Sequence, residues 1–170
     1  MKNIIFIALG LMLAKSSISQ VDVDFKDLEI KEDNNGAWVN GKTGYVYYNG
    51  ELFTGVAVHW IGDFMTTRET FKDGLHDGDY TSYNYDTGKE EHFIEFSNGQ
   101  RNGQEISWDE DGKVEIKNLW VKGRLVEQTS WDDDGNKRVV TYDENLEKYE
   151  KVYDNSGKLI REGKYSYDDE

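Results

Sequence analysis

Residues 91–103 read Glu91-His92-Phe93-Ile94-Glu95-Phe96-Ser97-Asn98-Gly99-Gln100-Arg101-Asn102-Gly103. Up to Phe96 the β-branched and aromatic side chains are spaced by polar ones, the pattern of a half-buried strand. Asn98-Gly99 then supplies two residues that accept positive φ, the requirement of a tight hairpin turn. The chain reverses there and runs back beside itself.

The same punctuation recurs along the chain. Gly50, Gly74, Gly99 and Gly123 stand 24, 25 and 24 residues apart, preceded by Asn49, Asp73, Asn98 and Lys122. Asn145 continues this series 22 residues later, asparagine being the next-best residue for a left-handed turn position. A second series, Gly62, Gly88, Gly112, Gly135 and Gly157, falls between the first. Its turns read Tyr85-Asp86-Thr87-Gly88, Asp109-Glu110-Asp111-Gly112, Asp132-Asp133-Asp134-Gly135 and Asp154-Asn155-Ser156-Gly157, which suits a type I turn closed by a left-handed glycine. Two interleaved series at one period mean two strands per repeat. The segments between them, such as Val114-Glu115-Ile116-Lys117-Asn118-Leu119-Trp120, alternate, and no proline interrupts them. The pattern predicts an all-β fold, an antiparallel meander of repeated hairpins.

Aromatic residues keep the same period. Tyr47, Phe71, Phe96, Trp120 and Tyr142 each precede a first-series turn by three residues. Trp60, Tyr83, Trp108, Trp131 and Tyr153 keep pace on the other strand of each repeat. Stacked repeats align such rings into ladders, each cross-strand pair contributing roughly 0.2–1 kcal/mol. Either row is the apolar face of the sheet or a platform for a peptide or a saccharide, and the second row is the candidate for partner contacts.

The start of the chain reads as an export signal. Met1-Lys2-Asn3 is basic, Ile4 to Ala14 is an unbroken apolar run too short to span a bilayer, and Ser17 and Ser19 suit cleavage before Gln20. The expected layout is a signal peptide over 1–19, an N-terminal cap strand and loop over 20–44, hairpin repeats over 45–167 and an acidic tail over 168–170. In the cap, Val21, Val23 and Phe25 alternate with acids and Lys26, Leu28 and Ile30 continue the spacing, and polar turns are expected at Asn34-Asn35-Gly36 and Asn40-Gly41. The destination is the periplasm or the exterior. Absence of cysteine excludes a disulfide framework, so burial and ladder hydrogen bonds must hold the fold.

The chain carries 34 acidic against 20 basic side chains, and residues 1–19 hold two of the lysines and no acid. The mature chain thus has a net charge of −16, which repels phosphate backbones and favours a basic protein partner or a divalent cation. Nothing after the leader is apolar enough to enter a membrane. His59, His76 and His92 are spaced 17 and 16 residues apart, out of phase with the repeat, so the sequence gives no ground for assuming that they converge. There is no Cys nucleophile, no Gly-x-Ser-x-Gly elbow and no His-Glu-x-x-His, so neither enzymatic activity nor a cofactor is expected. The acidic turns at Asp109–Gly112 and Asp132–Gly135 lack the spacing of a full calcium loop and read as hairpin turns, with no metal site expected.

Tyr48-Asn49-Gly50-Glu51-Leu52-Phe53-Thr54-Gly55, Phe71-Lys72-Asp73-Gly74-Leu75-His76-Asp77-Gly78 and Phe96-Ser97-Asn98-Gly99-Gln100-Arg101-Asn102-Gly103 share an aromatic, a glycine and a second glycine four or five residues on. These units resemble the MORN repeat variant of bacterial YwqK-family proteins. The likeness covers residues 45 to 112 and fades afterwards, since Glu127 stands at the second glycine position of the Trp120 unit. The resemblance implies a single-layer twisted sheet and a protein-binding or scaffolding role of antitoxin or immunity type. The alternative is a cell-envelope polysaccharide binder or hydrolase using the aromatic rows as a sugar platform. Edge-to-edge assembly through the first and last strands is a third reading.

Overall fold

A computed structural model describes residues 22–145 and 147–165. The leader with its cleavage site, Val21 and the acidic tail lie outside the described residues. After β1 (Asp22–Asp24) and one 3-10 turn (Phe25–Asp27), β2 (Glu29–Val39), β3 (Lys42–Tyr48) and β4 (Glu51–Leu52) form a small antiparallel sheet. The meander follows as β5 (Gly55–Ile61), β6 (Phe64–Lys72), β7 (Leu75–Tyr83), β8 (Glu90–Ser97), β9 (Gln100–Trp108), β10 (Val114–Val121), β11 (Arg124–Trp131), β12 (Lys137–Tyr142), β13 (Lys148–Tyr153) and β14 (Leu159–Tyr165). Each of these strands pairs antiparallel with the next, and β1 lies parallel to β5, giving one open sheet of 11 strands. The expected all-β meander is what the chain forms. Among the described residues no helix is long and apolar enough to cross a membrane.

The two turn series have different geometries. Asn49-Gly50, Asp73-Gly74, Asn98-Gly99 and Lys122-Gly123 have φ near 50° and 80°, so both central residues are left-handed and the strands pair closely up to the turn. On the opposite sheet edge the turns are wider. Asp109, Asp132 and Asp154 each donate a backbone N–H to the carbonyl four residues on and accept that residue's N–H at their carboxylate, at 2.8–2.9 Å. Asn84 does comparable work for the turn at Gly88, its side-chain oxygen accepting from the Asp86 and Thr87 N–H groups. These carboxylates are committed to their own loops. Among the described residues no group of three acidic, His or Cys side chains is arranged to hold a metal ion.

The second glycines Gly78 and Gly103 sit in bulges, whereas Gly55 starts β5 in regular register with Phe71. Asp77-Gly78-Asp79 face the single residue Thr70, and Asn102-Gly103-Gln104 face Glu95. Each of these bulges, and the break between β4 and β5 at Phe53-Thr54, receives the tight turn of the following repeat. Gly74, Gly99 and Gly123 donate their N–H groups to the carbonyls of Phe53, His76 and Arg101 at 2.8 Å. The residue before each glycine donates to a side chain one step further on, Thr54, Asp77 or Asn102, at 2.9–3.1 Å. The period of the sequence is therefore the period of a docking contact. The series ends at Gly123. The loop around Asn145 is not a tight two-residue turn: Asp143 closes it with Glu147 in the wide manner of Asp109, its carboxylate also accepting the Asn145 N–H.

The N-terminal segment is more than a cap strand. Asp24 accepts the Lys26 N–H and starts the 3-10 turn, so β1 stops there and the alternation from Val23 through Ile30 is split between two sheets. Asn34-Asn35-Gly36 stay within β2 as an irregularity between Glu32 and Ala37, and only Asn40-Gly41 forms a hairpin turn. The small sheet folds over one face of the meander at its β5–β7 end. Val23, Ala37, Val39, Val46, Phe53, Ala57 and Phe71 make the core between the two layers. Each large apolar side chain buried there contributes about 1.5–3 kcal/mol. Beyond β9 the sheet continues with no second layer among the described residues.

Candidate functional site

The registers of the meander line up residues from strand to strand on the face that carries the core. One row runs Ala57, Glu69, Tyr80, Ile94, Glu105, Asn118 and Gln128 across β5 to β11. Beside it, towards the wide turns, runs His59, Thr67, Ser82, His92, Ser107, Ile116 and Ser130. Towards the tight turns, Phe71, His76, Phe96 and Arg101 are successive neighbours. These rows are apolar under the small sheet and polar where it ends. At that boundary the two sheets enclose an open groove of about 430 Å3.

Phe25, Trp38, Asn40 and Gly41 form one wall of the groove, and His59, Thr67, Glu69, His76, Tyr80, His92, Phe96 and Arg101 line the meander side. All three histidines of the chain therefore line one groove, a convergence that their spacing does not reveal. Their sequence spacing is out of phase because bulges change the number of residues between matching positions, whereas the cross-strand register brings His59 and His92 into one row. Trp38, on the outer side of the β2–β3 hairpin, is 71% exposed at the lip.

Two carboxylates, Glu105 buried and Glu69 half-buried, organise the floor. Glu105, 5% exposed, accepts from Trp120 Nε1 at 2.6 Å and Asn118 Nδ2 at 2.9 Å, with Arg101 at 3.2 Å and His92 at 3.4 Å. Gln128 extends this network by donating to Asn118. Arg101 also lies over the Trp120 ring, 4.9 Å from its centroid. Glu69 accepts from Thr67 Oγ1 at 3.3 Å and meets His76 Nε2 at 2.8 Å. The His76 ring is stacked between Phe71 and Phe96, with centroids 4.4 and 4.8 Å away. Burial, reinforced by the Glu69 charge, pushes the Tyr80 phenol above its ordinary value and keeps it neutral.

Trp60, Tyr83, Trp108, Trp131 and Tyr153 lie elsewhere. Each follows directly after His59, Ser82, Ser107, Ser130 or Val152 in a strand, so alternation turns them to the opposite face, beside the wide turns. Trp60 is 44% exposed and the other four are half-buried. Lys137 lies over the Tyr153 ring at 4.5 Å. Of the first row, Phe71, Phe96 and Trp120 belong to the groove face, and Phe96 alone of the ten lines the groove itself. Glu69 and Glu105 were not singled out from the sequence. The available signal was parity, since Glu69 shares its side of β6 with Phe71 and Glu105 shares its side of β9 with Ser107.

Comparison with protein-family models, curated proteins and solved structures finds no match for this chain.

Proposed function

We propose that the chain is an exported, non-catalytic binding module of MORN-variant type that holds a protein partner in the groove between its two sheets. The groove carries this reading: it is open, walled by an exposed tryptophan, and floored by side chains fixed in place by buried hydrogen bonds. Such preorganised, partly apolar concavities favour binding because little side-chain freedom remains to be lost. The charge of −16 on the mature chain supports a basic partner. The leader pattern and the repeat resemblance together support an immunity role against an exported toxin.

The test uses the mature chain, residues 20–170, as bait for envelope and secreted proteins. Thr67→Trp fills the groove from its floor, and Trp38→Ala removes its lip. A partner held in the groove is lost with the first variant and weakened with the second. Equal capture by wild type and both variants would sink the reading.

A saccharide-binding reading is favoured by one observation, the exposed rings of Trp38 on one side and Trp60 on the other. Replacing both Trp108 and Trp131 with Ser separates the two surfaces. Loss of binding with the β circular-dichroism signal retained would move the contact to the row opposite the groove.

A further inference from the structure

Three tight turns are Asn-Gly pairs of one geometry. Asn40-Gly41 joins β2 to β3, Asn49-Gly50 joins β3 to β4, and Asn98-Gly99 joins β8 to β9. Their φ values are 46° and 81°, 52° and 86°, and 49° and 76°. The flanking residues pair in each case, Val39 with Lys42, Tyr48 with Glu51 and Ser97 with Gln100. All three asparagines are exposed. Dipeptide and backbone form are thus the same, and the surroundings differ.

Docking makes the difference. The Gly99 N–H is donated to the His76 carbonyl at 2.8 Å, and the Asn98 N–H to the Asp77 carboxylate at 3.1 Å. A Cβ on Gly99 would stand 2.9 Å from that of Ala37 and 3.4 Å from Leu75 Cδ2, so this turn is enclosed as well as bonded. Gly50 opens its series and Gly41 stands outside it, so neither has an earlier repeat to dock on. Among the described residues neither N–H meets an acceptor, and a Cβ on either glycine would have nothing within 4 Å.

The contrast bears on a reaction of the chain with water. The backbone nitrogen that follows an asparagine is a latent nucleophile, and glycine places no side chain in its way. That nitrogen gives its proton to water and attacks the asparagine Cγ. A C–N bond forms, the bond from Cγ to Nδ2 breaks, and the side-chain nitrogen takes up a proton and leaves as ammonia. Water then opens the cyclic imide at either carbonyl, which leaves aspartate or isoaspartate. A nitrogen whose N–H is held by an acceptor must give up that bond before it can react.

We infer that Asn40 and Asn49 are sites of spontaneous deamidation in the folded chain, and that docking protects Asn98. Asn40 and Gly41 belong to the wall of the groove, beside Trp38 at its lip. Conversion of Asn40 puts a carboxylate on that wall, and the isoaspartyl product also lengthens the backbone of the turn by a methylene. The inference is independent of the proposed binding role.

The experiment incubates the mature chain, residues 20–170, at mildly alkaline pH, both folded and in denaturing urea. Digestion at acid pH and peptide mass spectrometry follow the gain in mass as NH2 becomes OH, with fragmentation to assign each asparagine. In urea, where the dipeptide alone acts, the three should convert at similar rates. In the folded chain Asn40 and Asn49 should convert at least tenfold faster than Asn98. Asp77→Ala removes the acceptor of the Asn98 N–H and should speed Asn98 several-fold. Unchanged rates at Asn40 and Asn49 in that variant distinguish undocking of one turn from general loosening of the fold.

Conversion of Asn98 as fast as Asn40 and Asn49 in the folded chain would overturn the inference. So would intact Asn40 and Asn49 in the folded chain when the same residues convert in urea.

Discussion

The β5–β9 and β10–β14 ends of the meander are built from the same strand pattern and held in different ways. In the first, each tight turn docks on the strand break or bulge of the preceding repeat and the small sheet covers one face. Phe71 is 1% exposed there, between Phe53 and His76. In the second, Glu127 stands where the earlier repeats have a glycine, the bulge between β10 and β11 shrinks to the single residue Val126, and the following loop closes on its own Asp143. Burial there comes from neighbours within one layer, as where Arg138 and Arg161 flank Glu150. A meander thus has two sources of order, ladder hydrogen bonds that any alternating segment makes and inter-repeat docking that needs particular residues.

The largest test of that contrast is side-chain truncation in each region. Phe71→Ala should lose about 3–5 kcal/mol, because the void lies between two layers that cannot collapse freely. Val140→Ala, at a buried site in the single-layer region, should lose about 1.5 kcal/mol. Urea unfolding of the two variants measures both, and equal losses would erase the distinction.

Glycine substitution sharpens it next. Gly74 has φ 78°, and an added Cβ would stand 2.8 Å from Leu52 Cδ2 and 2.9 Å from the Val46 carbonyl oxygen. Gly157 has φ 86° with nothing within 4 Å. Gly157→Ala should cost about 1–2 kcal/mol, the left-handed strain alone. Gly74→Ala should cost about 1–3 kcal/mol more, since overpacking against backbone adds to the strain. Melting temperatures of the pair provide the comparison.

Docking itself is a smaller term. Asn102→Ala removes the acceptor of the Lys122 N–H and should cost about 0.5–1.5 kcal/mol. Arg124→Ala, which removes the exposed contact to the Asp143 carbonyl, should stay within about 0.5 kcal/mol.

The smallest effect lies in the wide turns. The Asn136 side chain, with its backbone N–H, holds the Asp132 carboxyl below 3.8, and Ser156, with the Lys158 N–H, does so for Asp154. A carboxylate depressed in the folded chain adds stability that is present above its unfolded value and lost as pH falls through the lower folded value. Carboxyl NMR should show both midpoints under 3.8. Asn136→Ala and Ser156→Ala should raise them, most visibly as low-pH changes in the β11–β12 and β13–β14 hairpins.

Most of the fold was legible because its signals are local. Alternation assigns strands by a two-residue period, and Asn-Gly or Asp-Gly pairs select the tight turn through backbone sterics alone. The fading of the repeat after Gly123 was legible too, at Glu127. The groove was not. Its residues come from six strands, the β2–β3 turn and the segment joining β1 to β2, and their meeting depends on register, which bulges at Gly78 and Gly103 reset without any sign in residue spacing.

The sequence by itself therefore determined the strands, the two turn types and the alternation that puts the Trp108 row and the Phe96 row on opposite faces. Only the tertiary structure decided that residues 29–52 fold back as a second layer, because Val39, Val46 and Phe53 find their apolar partners across the sheet rather than along the chain. It also decided that His76 and His92 come up against Glu69 and Glu105 where that layer ends. Side-chain direction repeats every two residues and can be read from the chain, whereas proximity across strands is a property of pairing, and pairing exists only in the folded molecule.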